Sequence, residues 1–163
     1  MSIAAEPVRK QVVVGATVER AFRLFTLEIG QWWRGHPTAP PLRGAVLEAR
    51  PNGRWYNVLG SGEEYELGRV LACEAPFRLL LGMFQLMHTG RPDPVLETEV
   101  ELTFRDAGQE QTLVQLEHRR LERYGSAVPE VRGHLDAIIG WQATLNDFAD
   151  AVGGGVSREE RAL

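Results

Sequence analysis

Hydrophobic positions recur along this chain with two different periods, and the change from one to the other sets out its architecture. Between about residues 43 and 118 the period is two. Val100, Leu102 and Phe104 alternate with Glu97, Glu99 and Glu101, as expected for a strand with one buried and one solvated face. The same alternation predicts strands over 45–50, 54–59, 63–74, 77–86, 96–105 and 111–118. Pro51-Asn52-Gly53 and Gly60-Ser61-Gly62 supply tight hairpin turns between the first three of these. In 77–86, Leu79, Leu81 and Met83 alternate with Leu80, Gly82 and Phe84, so both faces are apolar and the strand belongs in mid-sheet. After residue 130 the period lengthens. Val131, Leu135, Ile138, Gln142, Leu145, Ala149 and Val152 recur at three- and four-residue steps, with His134, Trp141 and Phe148 on an adjoining line. That predicts one long C-terminal helix with a wide apolar stripe, ended by Gly153-Gly154-Gly155.

The N-terminal part adds a strand over 8–14, closed by Val12-Val13-Val14 and Gly15. Thr17 is a helix cap, because its hydroxyl accepts from a free amide one turn in, and Val18, Ala21, Phe22 and Phe25 mark a helix over about 18–27. Ile29, Trp32 and Trp33 suggest a second, shorter helix before a loop at 35–41 that holds three prolines. Residues 87–95 and 121–129 read as further loops. The order is therefore strand, two short helices, about six strands, one long helix. Strands joined by short turns form an antiparallel meander, a long meander curls, and its apolar concave face needs a cover that only the final helix is long enough to give. The predicted class is α+β: a curved antiparallel sheet of six or seven strands wrapped around the C-terminal helix, one domain over 8–152. Residues 1–7 and 153–163 read as flexible tails.

Composition narrows the function classes. At 163 residues, with 44% hydrophobic and 25% charged positions, the chain has enough apolar material for one full core. A formal net charge of −4 and the lack of any basic run beyond Arg119-Arg120 argue against nucleic acid and anionic membrane as partners. A single cysteine, Cys73, cannot form an intrachain disulfide and suits a reducing compartment. There is no apolar run of membrane-spanning length, and residues 1–7 lack the basic start and apolar block of a secretory signal. The resulting expectation is a cytoplasmic protein.

Four segments resemble a known superfamily. They are Ala21-Phe22-(x)3-Thr26 followed by Trp32-Trp33; Pro51-Asn52-Gly53-Arg54-Trp55; Tyr65 to Val70 running on to Pro76-Phe77-Arg78-Leu79; and Gly140-Trp141-Gln142-Ala143-Thr144-Leu145. Together they span about residues 8–152 and are similar to the START-like helix-grip (SRPBCC) superfamily, nearest the branch of homologues of the heat-shock chaperone ATPase activator. Asn52-Gly53 stands where that branch usually has paired glycines. The resemblance implies the same helix-on-sheet fold, commonly with a cavity between helix and sheet. It does not choose a function, because the superfamily holds lipid carriers, hormone binders, polyketide cyclases and chaperone cofactors, and function resides in the site.

A cavity of a few hundred Å³ left dry would cost several kcal/mol, at about 24 cal/mol per Å³, so a ligand, water or large side chains must fill it. Trp33, Trp55, Tyr65, Phe84, His118, His134, Ile138, Trp141 and Leu145 are the candidate ligand-binding residues. Trp33 and Trp55 suit the mouth and wall, or else seal the core. Trp141 either lines the space or packs with its indole N–H on a carbonyl. His118, in phase with Val114 and Leu116, either orients a ligand oxygen or is a core imidazole bonded to a neighbour. Tyr65 and His134 complete a polar trio with it if the face of Tyr65, uncertain beside a bulge at Gly68, turns inward. No catalytic residue is assigned, since His118 alone offers acid–base chemistry. His36, His88, His118, His134 and Cys73 have no metal-ligand spacing, the glycines form no phosphate loop, and no cofactor is expected. The Glu63, Glu64, Glu66 group and Glu97, Glu99 and Glu101 read as solvated faces. The leading reading is non-catalytic binding of a small hydrophobic or aromatic molecule. The alternatives are a chaperone-directed interaction module and a cyclase- or aromatase-type enzyme. The chaperone reading ranks below binding, because the sequence shows no separate N-terminal domain like that of such activators. The open sheet edges also suit pairing of two copies.

Overall fold

The computed structural model describes residues 5–34, 41–85 and 93–153. Most of the tails expected at 1–7 and 153–163 and most of the loops at 35–41 and 87–95 lie outside the described residues. Seven strands form one antiparallel sheet: β1 (Val8–Val14), β2 (Leu42–Leu47), β3 (Arg54–Leu59), β4 (Glu64–Glu74), β5 (Arg78–Gln85), β6 (Asp93–Gly108) and β7 (Gln111–Arg119). Their spatial order is β1-β7-β6-β5-β4-β3-β2. The meander predicted from β2 to β7 is present, and β1 is added beside β7, with Val8 opposite His118 and Val14 opposite Thr112. The edges are thus β1 and β2.

Local chemistry explains the turns and ends. In the β2–β3 hairpin Asn52 adopts the left-handed region at φ 65°, as its side chain allows. Gly53 is needed for a different reason: a Cβ there would sit 2.0 Å from the Glu48 carbonyl oxygen. The turn is pinned to β4 by Asn52 N–H to the Val70 carbonyl at 2.8 Å and Val70 N–H to the Gly53 carbonyl at 2.9 Å. α1 (Val18–Phe25) is shorter than predicted and is capped by Thr17, whose Oγ1 accepts from Arg20 N. The expected second helix is one turn of 3-10 helix at Ile29–Gln31. β2 begins at Leu42, earlier than the pattern suggested, and β6 is longer at both ends.

The C-terminal helical segment lies over the concave face, in accord with the predicted α+β helix-grip class, but it is interrupted. After a 3-10 stretch, Leu121–Ala127, α2 (Val128–Asp136) ends at Ala137, whose ψ of 156° is extended. Residues Ile138–Gln142 form a wide π-type turn with Gly140 at φ −85°, ψ −130°, and α3 (Ala143–Val152) follows. α3 packs on β1 and α1, and α1 on β6 and β7. None of the helices among the described residues is long and apolar enough to cross a membrane.

An aromatic stack makes up one half of the interior. Phe22 and Phe25 of α1 meet Phe104 edge-on at 5.2 and 5.9 Å, and Phe25 also meets Phe148 of α3 at 5.2 Å and Trp32 at 5.1 Å. Such edge-on pairs add about 0.5–1.5 kcal/mol each beyond the area they bury. On the convex face, Glu97, Glu99 and Glu101 are not simply solvated. They pair with Arg69, Arg119, Arg120 and Arg78 in a lattice across β4 to β7. Gly82 leaves the room this requires: a Cβ there would meet Glu97 Cδ at 2.6 Å, where that side chain crosses β5 to reach Arg69. Glu64 and Glu66 likewise pair with Arg54.

Candidate ligand-binding site

The concave face carries a transverse row of inward positions. Trp55 on β3 is opposite Gly68 on β4, Gly68 is opposite Met83 on β5, and Met83 is opposite Thr98 on β6. A bulge at Leu67 shifts the β3–β4 register between Trp55 and Tyr56, so Trp55 lies across Gly68. A Cβ on Gly68 would come within 3.1 Å of Trp55 Cε3 and 1.9 Å of the Gly82 carbonyl oxygen, so the row tolerates no side chain at that point.

From Thr98 the row continues through hydrogen bonds. Trp141 Nε1 donates to His118 Nδ1 at 3.0 Å, and His118 Nε2 lies 2.7 Å from Thr98 Oγ1. An indole N–H only donates, so Nδ1 accepts, the ring proton sits on Nε2 and it is given to Thr98. The Thr98 hydroxyl reaches the Met83 carbonyl at 3.3 Å, and Tyr124 bonds Thr98 as well. His118 is 1% exposed. Burial with no compensating acid pushes it down to about 3, so the imidazole is neutral. Burial also pushes the Tyr124 phenol up.

Trp33 closes the circuit. Its ring centroid is 5.6 Å from that of Trp55 and 6.4 Å from that of Trp141. Trp55, Trp33, Trp141, His118, Thr98, Met83 and Gly68 therefore form a ring beneath the wide helical turn. No member of the ring carries a charge. Beside Trp33 a recess of about 20 Å³, room for about one water, is bounded by Trp32, Trp33, Arg34, Thr144 and Asp147.

The four tryptophans divide in a way their sequence does not announce. Trp32 donates to the Leu24 carbonyl at 2.9 Å and Trp141 donates to His118. Trp33 Nε1 and Trp55 Nε1 are buried with no hydrogen-bond partner, and so is Asn57 Oδ1. Asn57 follows Trp55 on the same face of β3 and is 6% exposed.

Of the residues singled out from sequence, Trp33, Trp55, His118 and Trp141 come together. Leu145, one helical turn beyond Trp141, is fully buried in the same core. Tyr65 is half-buried opposite Asn57, so the bulge does leave it facing inward. Three placements are corrected. Phe84 pairs with Glu97 and shares the convex face of Leu80 and Gly82, because strand alternation puts it opposite in phase to Met83. Ile138 is 84% exposed, because the extended Ala137 turns the chain before the wide turn begins. His134 is exposed on α2, whose inward side is Val131 and Leu135, so the Tyr65, His118 and His134 trio does not assemble. Asn57, Thr98 and Tyr124 were missed. Asn57 had a signal: an amide residue in the inward phase of a strand, where Asn is disfavoured. Thr98 shares the phase of Val100 and Leu102 but looks like any strand threonine. Among the described residues no cluster of three or more His, Cys, Asp or Glu side chains is arranged to hold a metal.

Comparison with known proteins places the fold. The family model described as activator of Hsp90 ATPase homolog 1-like protein matches residues 15–153. The chain belongs to that family. It is thereby a member of the START-like superfamily that the sequence motifs resembled. Two solved structures are similar over most of their length. The anthrahydroquino-γ-pyrone synthase Txn09 is 31% identical, with 90% of this chain and 97% of that one covered at a TM-score of 0.64. The self-sacrificing resistance protein CalC from Micromonospora echinospora is 32% identical, with 90% and 94% covered at 0.66. Protein MLL2253 from Mesorhizobium loti, 16% identical with 92% and 98% covered at 0.66, shares the fold alone. No functionally curated protein matches the sequence significantly.

Proposed function

We propose that this protein binds a small, neutral, hydrophobic or aromatic molecule between its C-terminal helical segment and the sheet, within the ring of Trp33, Trp55, Met83, Thr98, His118 and Trp141, and does so without chemically altering it. The observation that carries the reading is the ring itself: three indoles and an uncharged imidazole in mutual ring and hydrogen-bond contact between the helical segment and the sheet. Aromatic walls give a flat apolar ligand a large contact area, while an uncharged lining offers nothing to a carboxylate or phosphate. The similarity to Txn09, by its name a synthase of a fused aromatic pyrone, supports an aromatic ligand class. Binding is preferred to turnover because both nitrogens of His118 are engaged by Trp141 and Thr98, leaving neither for a substrate. A cyclase-type enzyme remains the alternative that the same neighbour supports, and a chaperone-directed role rests on the family's name.

The test is a titration of the purified protein with neutral three-ring aromatics, followed by tryptophan fluorescence and thermal shift. Saturable quenching with a raised Tm, both weakened at least tenfold by Trp141→Ala, is the expected result. If no ligand class quenches the indoles or moves the Tm, the reading fails.

A further inference from the structure

Trp33 Nε1, Trp55 Nε1 and Asn57 Oδ1 are buried polar atoms without a hydrogen-bond partner. Of the four indole N–H groups, those of Trp32 and Trp141 have partners at 2.9 and 3.0 Å, and those of Trp33 and Trp55 have none. Trp33 and Trp55 are 5.6 Å apart between ring centroids, and Asn57 stands two residues from Trp55 on the same strand face, roughly 7 Å along the chain. Trp55 is 1% exposed and Asn57 6%, so bulk water does not satisfy them. A buried polar group without a partner costs about 1–3 kcal/mol, and native interiors carry few such groups. Three at neighbouring positions, one of them on Trp33 at the edge of the small recess, match the hydrogen-bonding edge of a polar ligand.

We infer that Trp33 Nε1, Trp55 Nε1 and Asn57 Oδ1 form a polar subsite that selects an oxygenated aromatic ligand, one presenting acceptor oxygens to the two indole N–H groups and a hydroxyl to the asparagine carbonyl. This rests on the binding function proposed above and adds the hydrogen-bonding pattern of the ligand. The donor types fix that pattern: an indole can only donate, so it needs a strong acceptor such as a carbonyl or phenol oxygen, and an amide oxygen can only accept, so it needs an O–H or N–H. The ring supplies no cation, and the recess beside Trp33 holds Arg34 together with Asp147, so an anion gains no net positive surrounding there. The ligand class is therefore a neutral hydroxylated aromatic ketone, pyrone or quinone, in preference to a plain hydrocarbon, a fatty acid or a phosphorylated lipid.

The experiment compares xanthene, xanthone, 3-hydroxyxanthone and xanthone-2-carboxylate, one flat skeleton with increasing hydrogen-bonding content and then a charge, by calorimetry on the intact protein. The proposal expects affinity to rise about tenfold from xanthene to xanthone and again to 3-hydroxyxanthone, tenfold being one good hydrogen bond, and to fall for the carboxylate. Trp55→Phe should abolish the first step and Asn57→Leu the second, each variant first shown to keep the wild-type circular dichroism. In a ¹H–¹⁵N spectrum 3-hydroxyxanthone should move the Trp33 and Trp55 indole signals downfield and leave that of Trp32 in place. Equal saturable binding of all three neutral compounds would overturn the polar subsite while leaving the binding function intact. Absence of binding by any of them would overturn both.

Discussion

Trp141, on the C-terminal helical segment, gives its indole proton to Nδ1 of His118, on the last strand, at 3.0 Å in the buried interior. The bond ties helix to sheet at the point where the helix is interrupted, and it fixes the imidazole tautomer. Substituting His118→Ala would leave the indole N–H unpaired and open a cavity. A loss of about 3 kcal/mol is expected in chemical denaturation, from the unpaired group and the lost packing together. His118→Gln keeps one acceptor and one donor and should lose less than half as much.

The same imidazole makes stability depend on pH. Its folded value is depressed, from 6.5 to about 3, so the unfolded chain binds the proton more readily. Stability is full above about pH 6.5 and falls as pH drops from there toward 3, by about 1.4 kcal/mol per unit. Asp136, held low chiefly by its hydrogen bond to Lys10, acts below its ordinary 3.8, outside most of that window. Urea denaturation between pH 7 and pH 4.5 should follow this slope in the wild type and be nearly flat in His118→Gln. A wild-type profile as flat as the variant's would show that the imidazole is not buried neutral.

Two glycines in the C-terminal segment should respond oppositely to alanine. At Gly133 in α2 a Cβ would meet nothing within 4 Å, so Gly133→Ala should stabilise by about 0.5–1 kcal/mol through helix propensity. At Gly140 a Cβ would lie 2.5 Å from the carbonyl oxygens of both His134 and Leu135, backbone atoms that cannot step aside. Gly140→Ala should lower the Tm by several degrees and weaken ligand binding too, since the wide turn holds Trp141. Calorimetric melting of the two variants side by side checks both signs.

The arginine–glutamate lattice on the convex face looks extensive, yet its members are part-exposed and each pair should contribute no more than about 1 kcal/mol. Arg69→Met, which breaks the contacts to Glu97, is expected to change stability by less than that and to lose its effect in 1 M salt. A double-mutant cycle with Glu97→Gln measures the pair directly.

How much of this is legible in the sequence differs by element. The meander was readable because alternation and hairpin turns act locally: Val100, Leu102 and Phe104 face inward as their spacing required. The pairing of β1 with β7 was not, since period two says which face a strand buries and nothing about its neighbour. The interruption at Ala137–Gly140 leaves no mark in the pattern, because the three- and four-residue spacing of apolar positions continues across it, and that spacing puts Ile138 on the wrong side. In the site, the large aromatics announced themselves. The bonding state of their nitrogens did not, because whether an indole N–H finds a carbonyl depends on backbone brought close by the fold, as Leu24 is for Trp32.

The placement of the first strand has a consequence for synthesis. Arg9 and Glu117, 108 residues apart, end side by side. A nascent chain emerging from the ribosome can close hairpin after hairpin, but its opening strand has no dock until β7 is out of the tunnel. Assembly therefore waits on a long-range closure, the slow kind, and any truncation upstream of Gln111 strands both the beginning of the chain and the bare flank of β6.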